Sequence, residues 1–397
     1  MGLSIILLAE DFVPNIGGIA AHVHQLAVHL AKAGHTVEVI STMKQLPKRN
    51  LWRWRSRRSQ MQGVDVLEIP MVYSPRNLLF SYQVKYRFSS LVKKEIRDRK
   101  AQVIHWHNIH FDPEVIKQLL DVKVTRIFTN HSSQFLIDLS SQRELEYNRT
   151  NLSYAHAVIA PSSELKEATI RCGFPGEQTF FIPNGVDTNR FAPTAERRLL
   201  TRKRYNLHDE IAIICPRRVV PKCGVIYLAK ALRHLRTKKK VKIFFTGLSG
   251  GTLTWRDRDY ENAVRAELSD HPATVEIVSL HHVPNEEMPS LYNGMDICVL
   301  PSLIEATSIS GLEAMSSGLA LIGTQVGGIP EIIEDQISGW LVEKANEEQL
   351  ANALDTLIDE DERRHSLGKS ARHRASTLFD WTIIAEKTAD IYARTMK

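Results

Sequence analysis

The chain has 397 residues, enough for two or three domains with proper cores. Hydrophobic residues make up 43% and charged residues 24%, a balance that excludes wholesale disorder. Mean hydropathy is −0.21, and no apolar run approaches the ~18 residues of a membrane span. The four cysteines (Cys172, Cys215, Cys223, Cys298) lack any C-x-x-C spacing, which argues against a disulfide framework or a zinc site and for a reducing cytoplasm.

Met1 to Ala9 has a short apolar stretch but no basic n-region and no small-residue cleavage site. It therefore reads as a first strand, residues 4–8, and not as a signal peptide. Pro14-Asn-Ile-Gly17-Gly18 follows, and behind it Val23, Leu26, Ala27 and Leu30 line one face of a predicted helix that stops at Gly34. A Gly-Gly pair at a strand-to-helix turn lets backbone approach a ligand, and the helix end offers N–H groups to an anion. The same pair also serves plain tight turns, and G-x-G-x-x-G is absent.

After a strand over 36–40 comes a basic run from Lys44 to Arg58, with Trp52 and Trp54 among the cations and no acidic residue between Glu38 and Asp65. Residues 1–200 hold 26 Lys and Arg against 18 Asp and Glu, whereas residues 201–397 hold 25 against 27. Such a run suits an anionic membrane surface, an anionic acceptor or nucleic acid, or is simply a solvated loop. No nucleic-acid-binding motif accompanies it, so no nucleic-acid partner is expected.

Further strands are predicted over 64–69, 102–105, 125–129, 157–160 and 179–182. His105, His107 and His110 have a spacing too poor for metal ligation, so no metal is expected. His131 lies just past a strand end. The N-x-S/T triplets at Asn130, Asn148 and Asn151 read as chance matches without a secretory signal. The stretch from Pro183 to Arg204 reads as a turn and linker.

The strand–helix alternation then restarts, with strands over 211–215, 241–246, 274–278, 296–300 and 319–323. The architecture expected is α/β: two doubly wound, Rossmann-like parallel-sheet domains with a ligand cleft between them. The boundaries are 1–190 and 205–380, with a final helix (381–397) crossing back onto the first domain. Arg217, Arg218 and Lys222 follow the strand over 211–215, where cations suit a diphosphate leaving group. Glu305 follows the strand over 296–300. Ser310 and Glu313 fit an S-x-x-E capping box, so Glu313 has a structural role open to it, whereas Glu305 has none. The triplet Asp257-Arg-Asp259 lies away from any strand end and reads as chance.

The ensemble resembles glycosyltransferase family 4, retaining enzymes of the GT-B fold. The resemblance rests on Gly17-Gly18 with His22, Val103-Ile-His-Trp-His107, Ile182-Pro-Asn-Gly-Val-Asp187, Asp296 to Ser302, the E-x7-E pair Glu305 and Glu313, and Gly327-Gly-Ile-Pro-Glu331. It implies a nucleoside diphosphate sugar as co-substrate, with no other cofactor and no required metal. Gly17 and Gly18 then lie against the donor diphosphate, with Arg217 or Arg218 and Lys222 as its cations. Glu305 contacts the donor sugar, and the backbone at Ser308 and Ile309 the phosphate. Glu313 takes the ribose hydroxyls, Val283 neighbours the nucleobase, and His131 faces the reacting sugar. Cys223 stands where the family carries lysine before glycine, and Leu280-His-His-Val283 replaces its usual glycine-containing loop.

The expected reaction moves a hexose-type sugar, from a UDP-sugar first of all, to a saccharide, lipid-linked or small-molecule acceptor in the first domain. The expected location is cytoplasmic or at the inner membrane surface, touching anionic lipid through the basic run. The alternatives are an epimerase or phosphorylase of the same fold, or a non-catalytic membrane-surface binding protein.

Overall fold

The computed structural model describes residues 2–10, 12–13, 18–43, 55–70, 78–107, 113–138, 141–248, 255–281 and 283–396. Gly17, most of the basic run (residues 44–54), His110 and His282 lie outside the described residues. The chain divides into two compact units, residues 1–183 with 381–397, and residues 184–380.

The first unit runs β1 (Ser4–Ala9), α1 (Gly18–Lys32), β2 (Thr36–Met43), β3 (Arg57–Met61), β4 (Val64–Pro70), α2 (Leu78–Asp98), β5 (Val103–His107), α3 (Pro113–Lys117), β6 (Thr125–Thr129), α4 (Gln134–Asp138), α5 (Gln142–Leu152), β7 (Ala157–Ala160), α6 (Ser163–Arg171) and β8 (Thr179–Phe181). The sheet order is β3-β4-β2-β1-β5-β6-β7-β8. Every pair is parallel except β3 with β4. Burial on both faces explains why β1 and β5 read as continuous apolar or buried runs. Because β2 and β5 flank β1, the chain reverses its direction of winding there.

The antiparallel strand β3 was not expected, since Arg-Arg-Ser-Gln-Met offers no apolar alternation. Its signal is the turn: Gln62 (φ 49°) and Gly63 (φ 83°) both take positive φ, the signature of a two-residue hairpin loop. Arg57 pairs with Glu68 at 2.8 Å, and Arg58 with buried Glu38 at 3.0 Å. The carboxyl end of the basic run is thus a paired sheet edge rather than a solvated loop.

The second unit runs α7 (Ala195–Arg204), β9 (Ile211–Cys215), α8 (Val225–Leu232), β10 (Val241–Phe245), α9 (Trp255–Glu267), β11 (Val275–Ser279), α10 (Met288–Gly294), β12 (Ile297–Leu300), α11 (Ile309–Ser316), β13 (Ala320–Thr324), α12 (Ile329–Ile332), β14 (Trp340–Val342), α13 (Glu347–Asp359) and α14 (Asp361–Leu378). Its sheet, β11-β10-β9-β12-β13-β14, is parallel throughout, with the winding reversal between β9 and β12. Core side chains cover both faces. The expected linker contains helix α7, capped by the Thr194 hydroxyl, which accepts from the Arg197 N–H at 3.2 Å. Arg198 and Arg202 of this helix pair with Asp296 at 2.6 and 3.3 Å. A cation-rich Ala/Leu stretch after a Thr N-cap is a good helix former, and its charges are structural.

The last helix, α15 (Trp381–Thr395), belongs to the first unit, where Trp381, Ile384, Ala385, Ile391 and Tyr392 join the core beside Val23 and Leu26 of α1. Among the described residues no helix is long and apolar enough to cross a membrane.

Candidate active site

In the second unit, the loops after β9, β12 and β13 meet at the carboxyl edge of the sheet. Two glycines make the approach possible. Gly224 has φ 64°, and a Cβ there would fall 1.8 Å from the Pro301 carbonyl oxygen. Gly327 has φ 53°, and its Cβ would fall 1.6 Å from the Glu305 carbonyl oxygen. Both positions need a left-handed backbone and an empty side-chain site, which only glycine supplies. Amides of Leu303 and Ile304 donate to the Lys222 carbonyl at 2.8 and 3.3 Å, fastening one loop to the next.

On this edge the Arg217 guanidinium forms a hydrogen-bonded ion pair with the Glu305 carboxylate. Burial disfavours the charge on Arg217, but the Glu305 carboxylate, together with the nearby Cys223 and Cys215, more than offsets this and raises its pKa. Arg217 also donates to the Cys223 thiol at 3.6 Å. Arg218 and Lys222 are exposed on the same loop.

Helix α11 begins just beyond Glu305. Its N-cap is Ser308, whose hydroxyl accepts from the Gly311 N–H at 3.1 Å. The cap is therefore two residues earlier than the S-x-x-E pattern implies, and Ser310 instead sits 3.2 Å from the Ser308 hydroxyl. This correction removes Glu313 from the capping box. Its carboxylate accepts from the Tyr292 hydroxyl at 3.3 Å, and burial raises its pKa to about 7 against the Tyr292 hydrogen bond and the nearby Arg190 charge. Val283 packs against the adjoining core. Arg217, Glu305, Ser308, Ile309 and Glu313 thus share one sheet edge and one helix end. Tyr292 was missed by sequence reading, because nothing in Leu-Tyr-Asn links it to a helix some twenty residues on.

In the first unit, Gly18 is the exposed first residue of α1. His131 follows β6, and its Nε2 lies 3.1 Å from Nδ1 of His107, the last residue of β5. His22, on α1, brings its ring to 4.4 Å from that of His131 and 5.0 Å from that of Trp381, centroid to centroid. His105 is held at both nitrogens, 2.6 Å from the Tyr392 hydroxyl and 2.6 Å from the Thr129 hydroxyl. Burial, and then the neighbouring imidazoles, hold His105, His107 and His131 well below the ordinary histidine pKa, so all three are neutral at pH 7. Ligand-type nitrogens of His22, His107 and His131 fall within 4.8 Å of one another, a grouping that metals also use. Spacing along the chain had assembled His105, His107 and His110. The fold instead gathers one histidine from a helix, one from a strand and one from a loop. Asp257 and Asp259 lie on α9.

Residues 16–190 match the family described as Glycosyltransferase Family 4, and residues 198–374 the one described as Glycosyl transferases group 1. The phosphatidylinositol N-acetylglucosaminyltransferase of Arabidopsis thaliana contains a polypeptide 25% identical over 407 residues, covering 100% of this chain and 83% of its own. Among solved structures, sucrose-phosphate synthase from Thermosynechococcus elongatus aligns with a TM-score of 0.78 at 24% identity, over 98% of both chains. HepE of Anabaena, in complex with UDP and glucose, aligns with a TM-score of 0.75 at 17% identity, over 98% of this chain and 100% of its own. At these identities the two structures speak to fold alone.

Proposed function

The chain belongs to the group 1 and family 4 glycosyltransferases, retaining enzymes of the GT-B fold that use nucleotide-sugar donors, and we propose that it moves a hexose-type sugar from a UDP-sugar to a lipid-linked or saccharide hydroxyl. The second unit takes the donor and the first unit the acceptor. The observation that carries this reading is the joint presence, on one sheet edge, of the Arg217–Glu305 pair, two exposed cations and the amino end of α11.

The chemistry follows from charge. As the bond from sugar to diphosphate breaks, negative charge grows on the leaving oxygens. Fixed cations and helix amides that need no rearrangement stabilise that charge most effectively. Arg218 and Lys222 serve as those cations, with the amides at Ser308 and Ile309 beside them. Arg217 holds Glu305 against the donor sugar, its guanidinium substituting for the lysine that Cys223 displaces. Glu313 accepts from the ribose hydroxyls, and Val283 borders the base. His131 faces the sugar. No protein nucleophile is invoked, because the acceptor attacks from the face the diphosphate leaves. The Arabidopsis relative is named for transfer to phosphatidylinositol, which supports a lipid-linked acceptor. The cations of the basic run other than Arg57 and Arg58, which are paired with Glu68 and Glu38, would meet the anionic headgroups around it.

A donor panel of UDP-glucose, UDP-N-acetylglucosamine, GDP-mannose and ADP-glucose tests the reading by thermal shift and nucleotide release. A ligand at 100 times its Kd stabilises by about 2.7 kcal/mol, and we expect a UDP-sugar to do so most strongly. No turnover with any donor, together with an unchanged response in Glu305→Ala and Lys222→Ala, would overturn it.

A further inference from the structure

We propose that His107 is a positioning residue that locks His131 into the tautomer carrying its proton on Nδ1, so that His131 offers a substrate oxygen an N–H donor and not a base. The proposal rests on the reading that His131 faces the reacting sugar.

The deduction uses one hydrogen bond and one buried atom. The rings of His107 and His131 lie 5.4 Å apart with 19° between their planes, and His107 Nδ1 is 3.1 Å from His131 Nε2. Between two neutral imidazoles, one of these nitrogens carries the shared proton and the other accepts it. If His131 Nε2 were the donor, the proton of His107 would sit on its Nε2. That atom is buried and has no hydrogen-bond partner among the described residues. A buried N–H without a partner is rare and destabilising. In the opposite arrangement His107 donates from Nδ1, and its buried Nε2 is only a lone pair, the less demanding group to leave unpaired. His131 then accepts at Nε2 and carries its own proton on Nδ1.

The wall behind the pair is rigid. His105 lies 4.0 Å from the His107 ring and is tied at both nitrogens, to Thr129 and to Tyr392 of the C-terminal helix. The groups facing His107 are the imidazoles of His105, His22 and His131. A second proton on His107 would place a cation among them in a buried site, so the one-proton description holds near neutral pH.

Two measurements on the full-length protein decide the matter. Long-range 1H–15N correlation spectra of 15N-histidine-labelled protein at pH 7.5 should show both His107 and His131 as Nδ1–H tautomers, the reverse of the form free imidazoles prefer. Finding Nε2–H on both would overturn the proposal, as would stoichiometric Zn2+ bound through these rings. In turnover, His107→Asn keeps an amide N–H near the Nδ1 position, whereas His107→Gln puts it near Nε2. His107→Asn should stay within about threefold of wild-type kcat, and His107→Gln should lose about tenfold or more with KM little changed. Equal losses in two variants with matching melting temperatures would overturn the positioning role. If the unaltered enzyme turns over no nucleotide sugar, the functional reading fails, while the spectra still decide the tautomer.

Discussion

Glu313 carries the sharpest consequence at the scale of single residues. Its ordinary pKa is 4.5, and burial lifts it to about 7. The folded protein therefore keeps a proton that the unfolded chain releases between about pH 4.5 and 7. Stability from this group is present below that window and falls as pH rises through it. On the proposed role of Glu313, donor binding has the opposite slope, because accepting two ribose hydroxyls requires the carboxylate. UDP-sugar affinity should rise by up to about tenfold per pH unit approaching pH 7 and level off above it. Glu313→Gln should bind more weakly and with a flat profile; calorimetric titration from pH 5.5 to 8.5 reads both. A wild-type affinity that does not change across this range would mean the carboxylate does not meet the ribose. Neither Tyr292 nor the true N-cap, Ser308, is visible in the E-x7-E spacing. That spacing identifies two acids one helix apart, but their partners arrive from other elements.

At the scale of elements, the loops on the second sheet's edge depend on glycines whose requirement differs from position to position. Gly327→Ala combines positive φ with a collision against the Glu305 carbonyl and should cost about 3 kcal/mol or more. Gly63→Ala, at φ 83° in the β3–β4 hairpin with nothing within 4 Å of the added methyl, should cost only about 1–2 kcal/mol. Urea unfolding of the two variants checks the contrast, and equal losses would show that the Glu305 loop is less tightly built than its geometry implies. Apart from β3 and the three-residue β14 (Trp340–Val342), which lacks a β-branched run of its own, the strands of both sheets were legible because buried parallel strands are short β-branched runs between turn residues. Strand β3 was not, since an edge strand of arginines is defined by its turn and its ion pairs. Helix α7 was mistaken for a linker for a related reason: its arginines look solvated until Asp296 is brought beside them.

For the whole molecule, the returning helix α15 matters most. It contributes Trp381, Ile384, Ile391 and Tyr392 to the first unit's core, and each large buried side chain is worth about 2 kcal/mol. That sum rivals the 5–15 kcal/mol net stability of a typical domain. Deleting residues 381–397 should abolish the melting transition of the first unit and leave that of residues 184–380 in place. Differential scanning calorimetry would reveal either outcome, and retention of both transitions would show that α15 is dispensable. The deletion also removes Tyr392, the partner of His105, and with it the wall behind His107.

The sequence by itself determined the alternating α/β architecture, the returning helix and the identity of the acids and cations at strand ends. These follow from local periodicity, turn chemistry and short-range spacing. Only the tertiary structure decided which cation meets Glu305, what holds Glu313, and which histidines converge. Those outcomes include contacts between side chains 21, 24 and 88 positions apart, and chain spacing carries no information about which sheet edges and helix ends will meet.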